Sequence, residues 1–343
     1  MDTRSFGELF CGAGGMAWGL REAGFKPLWA VDADQWACQT YRRMIGDHVI
    51  HDRVENVDFS SLHRVEGLAF GFPCNDFSLV GERKGTNGYY GSLYQQAERA
   101  LHEVQPKWFI AENVPGLLTG GSDIMEVFAN AGPGYTVAVH VYDFEKYGVP
   151  QKRRRVIGVG IRSDFNLICN PLAPTHKVPV SASQALSGVE EIAANNERTR
   201  HTAKVINLLD AIPPGENAWS DQVPQDLRLN VEKVKMSLIY HRLHPDLPAY
   251  TVVAAGGGGT HTYHFAEPRA LTNRERARIQ SFPDEFIFEG PKEQVRKQIG
   301  MAVPPLGAQA IGTALRATLE GRAYPNVEPG VALISPNRLC RAI

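Results

Sequence analysis

The stretch SFGELFCGAGGMAWGL, residues 5–20, decides the fold. Residues 5–10 favour a β-strand, residues 11–15 form a glycine-rich turn, and the apolar spacing that follows favours a helix. Gly12 and Gly14 give this turn the pattern G-x-G-x-x-A. Such glycines let a ligand approach the backbone closely, and the helix N-terminus directs N–H groups towards it. The order strand, glycine turn and helix is typical of the first unit of a doubly wound α/β fold.

The same alternation continues through the N-terminal half of the chain. An apolar stripe of helical spacing runs from Leu93 to Val104, and Pro106 ends it. Alternating strands and helices predict the α/β class, here a doubly wound and mostly parallel sheet covered by helices. The predicted strands are residues 5–10, 28–32, 67–72, 108–112, 136–144 and 156–161.

The pattern changes after residue 170, where prolines recur and the alternation stops. It resumes with a T-x-x-E capping box at Thr272 and Glu275 and with an apolar-striped helix over 306–319. The sequence therefore predicts a small domain inserted into a large one. We expect the large domain to comprise residues 1–170 plus 266–343 and the inserted domain to comprise residues 171–265.

Composition excludes several classes of protein. The chain has 343 residues, 43% of them hydrophobic, and a net charge of -1, as expected for a globular protein and not for a disordered chain. No apolar run approaches the roughly 18 residues of a membrane span, and the first residues lack a signal peptide, so we expect a cytoplasmic protein. The 5 cysteines include no C-x-x-C pair, and two H-x-x-H pairs lack further ligands nearby in sequence, so no metal site is expected.

A carboxylate strengthens the case for a nucleotide ligand, because a tight turn needs glycine whether or not it binds anything. Asp32 ends the second predicted strand about 20 residues after Gly12, where its carboxylate can accept hydrogen bonds from ribose hydroxyls. These features predict a nucleoside cofactor and leave NAD and S-adenosylmethionine open.

Three polar clusters lie at the ends of predicted strands. Cys74 follows the third strand and precedes a locally basic loop, Glu112 ends the fourth strand, and QKRRR at 151–155 precedes the sixth. Taken singly, each has a plain structural explanation: a buried thiol, an ion pair between Glu112 and Arg153, and a solvated basic face. Their joint position at the carboxyl edge of the sheet favours an active site.

Six blocks of the sequence resemble, in order, the signature blocks of the C5-cytosine DNA methyltransferases, and the resemblance spans residues 5–320. The blocks are FCGAGG at 10–15, GFPCNDFS at 71–78, ENV at 112–114, QKRRR at 151–155, RALTNRERARIQSFPDEF at 269–286 and QIGMAVPP at 298–305. The resemblance implies a Rossmann-like methyltransferase of the bacterial restriction-modification type that uses S-adenosylmethionine and no metal.

The resemblance also implies a covalent mechanism. Cytosine C5 is a weak nucleophile, and addition of a thiolate at C6 would raise its electron density, a role implied for Cys74. Glu112, as the protonated acid, would hydrogen-bond the cytosine at N3 and N4. Arg155 would reach the cytosine carbonyl and orient Glu112, with Arg153 in support.

Further site residues are implied in the same way. The cofactor pocket would comprise Phe10, Gly12, Gly14, Gly15, Asp32, Ala33, Asp58, Phe59, Gly71, Phe72, Pro73, Leu93 and Ala302. The DNA contacts would comprise Ser78, Arg83, Lys84, Thr251, Gly256 and Gly257.

The implied partner is double-stranded DNA, from which the target cytosine must be flipped out, with residues 171–265 as the target-recognition domain. A near-neutral total charge is compatible with DNA binding through a local basic groove. We expect a monomer without membrane attachment, and a restriction endonuclease as a genetic rather than a physical partner.

Three alternative functions each fit part of the sequence. A catalytically silent DNA-binding relative would not need intact Cys74, Glu112 and Arg155, and an NAD-dependent dehydrogenase would leave these blocks unexplained. A transfer-RNA methyltransferase of the same family would carry a Cys-Phe-Thr element that residues 171–265 do not contain. The sequence departs from the family at Asn75, where many relatives have Gln, and at Met301, where Asn is usual, which puts in doubt one hydrogen bond of the closing helix.

Overall fold

The computed structural model describes residues 4–72, 93–120, 124–229, 238–254 and 256–336. The predicted nucleophile Cys74 lies outside the described residues, as do Pro73, Ser78, Arg83 and Lys84.

The strands are β1 (Ser5–Leu9), β2 (Lys26–Asp32), β3 (Val49–His51), β4 (Gly67–Gly71), β5 (Trp108–Asn113), β6 (Tyr135–Asp143), β7 (Gln151–Lys152), β8 (Arg154–Arg162), β9 (Ala249–Tyr250) and β10 (Ala332–Ile334). The helices are α1 (Gly15–Glu22), α2 (Gln35–Met44), α3 (Tyr94–Val104), α4 (Leu117–Gly120), α5 (Ile124–Asn130), α6 (Ala182–Leu186), α7 (Ala203–Ala211), α8 (Asn273–Ile279), α9 (Lys292–Met301) and α10 (Pro305–Leu319).

Among the described residues, eight strands form one sheet in the order β10-β6-β8-β5-β4-β1-β2-β3. The five strands from β3 to β5 run parallel, and β8, β6 and β10 each pair antiparallel with the preceding strand of the sheet. This mixed, mostly parallel sheet confirms the predicted α/β class and all six predicted strands. Strands β3, β7, β9 and β10 are not among the predicted ones, because strands of two or three residues are too short to show an alternating pattern.

Buried aromatic side chains hold the centre of the sheet. Phe70 on β4 stacks on Phe109 on β5 with ring centroids 5.7 Å apart, and Phe128 of α5 meets both rings edge-on. Every residue of β4 and β5 except Gly71 and Glu112 is buried, as expected for parallel strands covered on both faces. The two exceptions stand at the carboxyl ends of these strands, where a ligand can reach them.

By its internal packing the chain divides into two compact units. The first unit is Met1–Phe144, Arg154–Thr175 and Val303–Ile343, and the second is Glu145–Arg153 and His176–Ala302. Residues 266–302 thus pack with the second unit, whereas the sequence analysis assigned them to the catalytic domain. The reason is local: Arg274 on α8 donates to the carbonyls of Ala194 and Phe286, which keeps α8 within that unit. The functional assignment of the domains remains a prediction.

The predicted capping box is present at the start of α8. The Thr272 hydroxyl accepts from the Glu275 N–H, and the Glu275 carboxylate accepts from the Thr272 N–H. Arg269 donates to both oxygens of the same carboxylate, at 2.7 and 2.8 Å. The predicted helix over 306–319 is α10, with Pro305 in its first turn.

Among the residues that the structure describes, no helix is both long and apolar enough to cross a membrane. In the same ranges, no group of three or more His, Cys, Asp or Glu side chains is arranged to hold a metal ion.

In the first unit, α1 packs so tightly on the start of α10 that residue 19 must be glycine. A Cβ atom at Gly19 would lie 2.2 Å from the Pro305 carbonyl oxygen and 2.7 Å from the Cβ of Ala308. We expect Gly19→Ala to lower the free energy of unfolding by roughly 1–3 kcal/mol in a urea titration, because overpacking outweighs the gain in helix propensity. Gly257→Ala is the control, since Gly257 has an extended φ of -161° and a Cβ there would meet nothing within 4 Å. Equal unfolding midpoints for Gly19→Ala and the wild type would contradict this packing.

Candidate active site

The glycine turn after β1 has the strained backbone that its sequence predicts. Phe10, Gly12 and Gly14 have φ angles of 54°, 53° and 88°, in the left-handed region that favours glycine. A Cβ at Gly14 would lie 2.6 Å from Ile45, so packing alone excludes a side chain there. A Cβ at Gly12 would meet nothing within 4 Å, so the backbone at Gly12 borders open space that a ligand can use.

Asp32 ties this turn to the end of β2. Its Oδ2 accepts from the Gly12 N–H at 2.8 Å, and its Oδ1 accepts from the Asp34 N–H at 2.8 Å. Ala33, between the two acids, is exposed, and its carbonyl oxygen lies 3.3 Å from Nε2 of His51. Each carboxylate oxygen has more than one acceptor site, so these bonds leave Asp32 capacity for ribose hydroxyls.

Glu8 is a residue that the sequence analysis missed. It is only 1% exposed on β1, and burial, reinforced by the Asp32 charge, raises its pKa well above the usual range for a glutamate. It hydrogen-bonds with the Tyr41 side chain and with the backbone of Ala17 in the first turn of α1. Its Oε2 is buried without a hydrogen-bond partner. Burial therefore favours the neutral form of Glu8. The sign of this residue in the sequence is an ionisable side chain inside a strand-forming run.

The segment predicted to contact an adenine begins at Asp58 and Phe59. Asp58 is exposed, and hydrogen bonds from the Ser60 hydroxyl and N–H lower its pKa. Phe59 is 5% exposed, and the Arg99 guanidinium lies 4.6 Å from its ring centroid. Arg99 on α3 also donates to the carbonyls of Val54 and Val57. This arginine, which the sequence analysis did not single out, holds the segment against α3.

Other predicted pocket residues have different positions. Leu93 and Phe72 are buried, at 8% and 2% exposure. Ala302 belongs to the second unit, where its carbonyl accepts from Gln280 Nε2 at 2.8 Å. Met301 beside it is 58% exposed, and the backbone around it is held by Gln280, which also donates to the Ile299 carbonyl.

Strand register brings Glu112 and Arg155 together in the first unit. The Oε1 atom of Glu112 lies 2.8 Å from Nε of Arg155, and the side chains are 12% and 14% exposed. Gly71 is the residue opposite Glu112 in the β4–β5 pair, and a Cβ there would lie 2.9 Å from Oε2 of Glu112. Asn113 anchors the neighbouring backbone by donating to the Phe72 carbonyl at 3.1 Å. The ion pair that forms is with Arg155, and not with Arg153 as the structural alternative supposed.

Three consecutive arginines of the QKRRR block have three different environments. Arg153 is 1% exposed and donates to the carbonyls of Val252, Gly300 and Ala302 within the second unit. Arg154 is exposed and pairs with Asp143. Arg155 contacts Glu112 and donates to the carbonyl of Arg154. The supporting role predicted for Arg153 towards Arg155 stays a prediction.

The predicted DNA contacts that the structure describes belong to the second unit. The Thr251 hydroxyl donates to the Lys152 carbonyl at 2.7 Å, so a phosphate would have to compete with that carbonyl for its one proton. Gly257 and Thr260 close a short turn, in which the Thr260 hydroxyl accepts from the Gly257 N–H at 3.0 Å. Gly256 has a φ of 148°, and Gly257 is exposed. The glycines thus form an ordered turn that presents backbone to the surface.

The raised pKa of Glu8 makes a prediction about pH. An acid with a higher pKa in the folded than in the unfolded protein contributes stability that is present below the unfolded value and is lost as the pH rises towards the folded value. Replacing Glu8 with Gln removes this loss, so the unfolding free energy of Glu8→Gln relative to wild type should rise as the pH increases from about 4.5, the usual value for a glutamate, towards the raised pKa of Glu8. Glu22→Gln, at an exposed position on α1, is the control. Parallel stability profiles for Glu8→Gln and wild type would show that Glu8 is not held neutral.

Comparisons with known proteins identify the family of this chain. Residues 4–317 match the family model described as C-5 cytosine-specific DNA methylase. The Type II methyltransferase M.BbvI of Brevibacillus brevis is 50% identical over 347 residues, which cover 94% of this chain and 93% of that protein. The Type II methyltransferase M.NgoFVII of Neisseria gonorrhoeae is 41% identical, over 90% of this chain and 85% of that protein.

Solved structures of low sequence identity share the fold. A putative DNA modification methyltransferase encoded within an E. coli prophage superposes with a TM-score of 0.68 at 24% identity, over 92% of this chain and 99% of the other. The Dnmt2 methyltransferase of S. pombe superposes with a TM-score of 0.59 at 17% identity, over 92% and 98%. With the family match over nearly the whole chain, the chain belongs to the C-5 cytosine-specific DNA methylases, enzymes that transfer a methyl group to C5 of cytosine in DNA.

Proposed function

We propose that this enzyme methylates a cytosine flipped out of duplex DNA, through a covalent bond between Cys74 and C6 of the base. The observation that carries the proposal is the pair of Glu112 and Arg155, set by strand register beside Gly71 at the carboxyl edge of the sheet. Cys74 follows Gly71 by three residues along the chain. The reaction needs an acid, a guanidinium and a thiol: the first two are paired at this sheet edge, and Cys74 would supply the third.

The proposed chemistry begins with the thiolate of Cys74. It adds to C6, forming a C–S bond, while the ring electrons move towards N3, which takes a proton from Glu112. C5 is then electron-rich enough to accept the methyl group. A base then removes the C5 proton, the C5–H electrons form the C5–C6 double bond, the C–S electrons return to sulfur, and Cys74 leaves as the thiolate. The N3 proton returns to Glu112, which restores the enzyme.

Arg155 has two proposed tasks towards Glu112 and the base. Its contact with Oε1 fixes the orientation of the carboxyl group, whose other oxygen lies on the side of Gly71. Glu112 would take up a proton when the base binds and then present that proton to N3. Another N–H of the same guanidinium would reach the cytosine carbonyl, where it stabilises charge that develops during attack.

The family implies S-adenosylmethionine as the methyl donor, and the residues of the first unit fit it. When bound, it supplies a methyl group on a sulfonium centre. We propose that the turn at Phe10, Gly12, Gly14 and Gly15 contacts the amino-acid part, because the open space at Gly12 admits a ligand to the backbone. Asp32 and Ala33 would bind the ribose. Asp58 and Phe59 would bind the adenine, and the family resemblance adds Gly71, Phe72, Pro73, Leu93 and Ala302 to the proposed cofactor contacts.

We further propose that residues 171–265 read the DNA sequence and that the enzyme acts as a monomer. Its relatives are named Type II methyltransferases, which supports a role as the modification enzyme of a restriction-modification system. Ser78, Arg83, Lys84, Thr251, Gly256 and Gly257 are the proposed DNA contacts. Bisulfite sequencing of DNA incubated with the enzyme would identify both the modified cytosine and its sequence context.

The proposed nucleophile is tested by Cys74→Ala. Without the thiolate, C5 is not activated, so transfer of labelled methyl from S-adenosylmethionine to duplex DNA should fall by at least roughly a thousandfold. Cys169→Ala is the matched control, because Cys169 is buried and burial raises its pKa to about 12, which makes it a poor nucleophile. Undiminished transfer by the Cys74→Ala protein would overturn the assigned mechanism.

A covalent adduct provides an independent test. With duplex DNA containing 5-fluorocytosine at the target position, fluorine stands in place of the C5 proton and blocks the final elimination, so the protein should stay bound to DNA through Cys74. The complex should survive denaturing electrophoresis for the wild type and the Cys169→Ala control, and it should be missing for Cys74→Ala. Active wild-type protein that forms no such complex would count against attack at C6.

A further inference from the structure

A group of basic side chains in the second unit plays no part in the site described above. It comprises Arg276 on α8, Lys292 and Arg296 on α9, and the two histidines His201 and His261, and we refer to it as the basic cluster. Lys292 and Arg296 are four residues apart and therefore lie on one face of α9. α9 packs against α8, the charge of Arg296 acts on Arg276, and the charges of Arg276 and Arg296 act on Lys292.

Arg276 is the buried centre of the basic cluster. It is 2% exposed, and its guanidinium contacts neutral groups: Nη1 lies 3.4 Å from the Thr262 hydroxyl and Nη2 lies 3.5 Å from Nδ1 of His261. Both distances are at the long end for hydrogen bonds. A buried guanidinium normally has a carboxylate or several carbonyls as partners, and Arg242 and Arg274 of the same unit do.

Arg296 also has a donor atom without a close partner. Its Nε atom is buried and has no hydrogen-bond partner among the described residues. Burial lowers the pKa of Arg276 to about 10, and the Arg296 charge adds to that effect. Burial also lowers the pKa of His261 to about 4, again with help from Arg276 and Arg296. His261 is thus neutral at pH 7, and the net positive charge comes from Arg276, Lys292 and Arg296.

The acids near the basic cluster do not balance this charge. Glu275 acts on Arg276, but both of its oxygens already accept hydrogen bonds from Arg269. Glu197 acts on Lys292 and is exposed to solvent. The three cations therefore have two carboxylates nearby. Glu275 is already bound by Arg269, and the charge of Glu197 is screened by water.

The surroundings of the basic cluster resemble a surface that meets a polyanion. His261 follows the turn of Gly256–Thr260 directly, and Tyr263 joins the two by donating to the Gly258 carbonyl at 2.6 Å. The rings of His201 and His261 lie 6.1 and 6.2 Å from the ring of Tyr263. Donor groups of the basic cluster lie beside the exposed glycine turn. A phosphate in that place can accept several hydrogen bonds at once.

We propose that the basic cluster binds a phosphate of the DNA backbone, with Lys292 and Arg296 donating to its oxygens and the buried Arg276 adding charge. The inference rests on the proposed function of the second unit in DNA binding and assigns one contact within it. A phosphate contact fixes the position of the protein on the duplex and carries no sequence information. It therefore contributes equally to target and non-target DNA.

The test neutralises Lys292 and Arg296 separately, as Lys292→Gln and Arg296→Gln. DNA affinity is measured at several salt concentrations with two duplexes of equal length, one with the methylated sequence and one without it. Each substitution should weaken binding to both duplexes by a similar factor, roughly three- to tenfold at low salt, and should reduce the slope of log K against log salt by about 1. Lys177→Gln, at an exposed position of the same unit, is the matched control and should change the slope little.

The outcomes separate this inference from the proposed function. Wild-type affinity and slope in both variants, with wild-type protein that still methylates DNA, would overturn the phosphate site alone. Wild-type protein that binds no DNA would overturn both. Loss of binding only for the target duplex would show base readout and contradict a phosphate contact. Circular dichroism identifies a variant that unfolds, and Lys292→Arg, which keeps the charge, should restore the slope; if it does not, or if both Gln variants unfold, the basic cluster is structural and the proposal is wrong.

Discussion

The register of β4, β5 and β8 is the constraint on which the proposed chemistry depends. It sets Gly71 opposite Glu112 and brings the Arg155 guanidinium to 2.8 Å from the Glu112 carboxylate. A side chain at Gly71 would collide with the second oxygen of that carboxylate. Because a shift of one residue turns every side chain of a strand to the other face, the buried rings of Phe70 and Phe109 that hold β4 and β5 together also hold the acid in place.

A second set of polar contacts holds the glycine turn after β1 in the same unit. Asp32 accepts a hydrogen bond from the Gly12 N–H in the turn after β1. Glu8 hydrogen-bonds with the backbone of Ala17 in the first turn of α1. Asp32, whose charge helps to raise the pKa of Glu8, lies at the end of β2, where a ribose would bind in the proposed cofactor site.

The second unit uses its arginines differently. Arg242 and Arg274 are saturated by backbone carbonyls and stabilise loops that have little regular structure. Arg276 has neutral partners at long distance and two further cations beside it. Arginine therefore has a structural role at two of these positions. At the third, Arg276 has no close acceptor and belongs to the cluster proposed to bind a phosphate. The difference depends on which acceptors the fold brings near.

Sequence by itself determined the α/β class, the six main strands, the capped helix at Thr272 and the family, because these depend on local periodicity, on turn chemistry and on short motifs. Tertiary structure decided the rest. The identical arginines at 153, 154 and 155 face a buried carbonyl cluster, solvent and the Glu112 carboxylate, and the chain alone does not distinguish them. Glu8 became a neutral acid and Arg276 the centre of a basic cluster only through burial and charges from residues distant in sequence. Ionisation and pairing depend on the groups that surround a side chain in space, and that is why they follow from the fold and not from the motif.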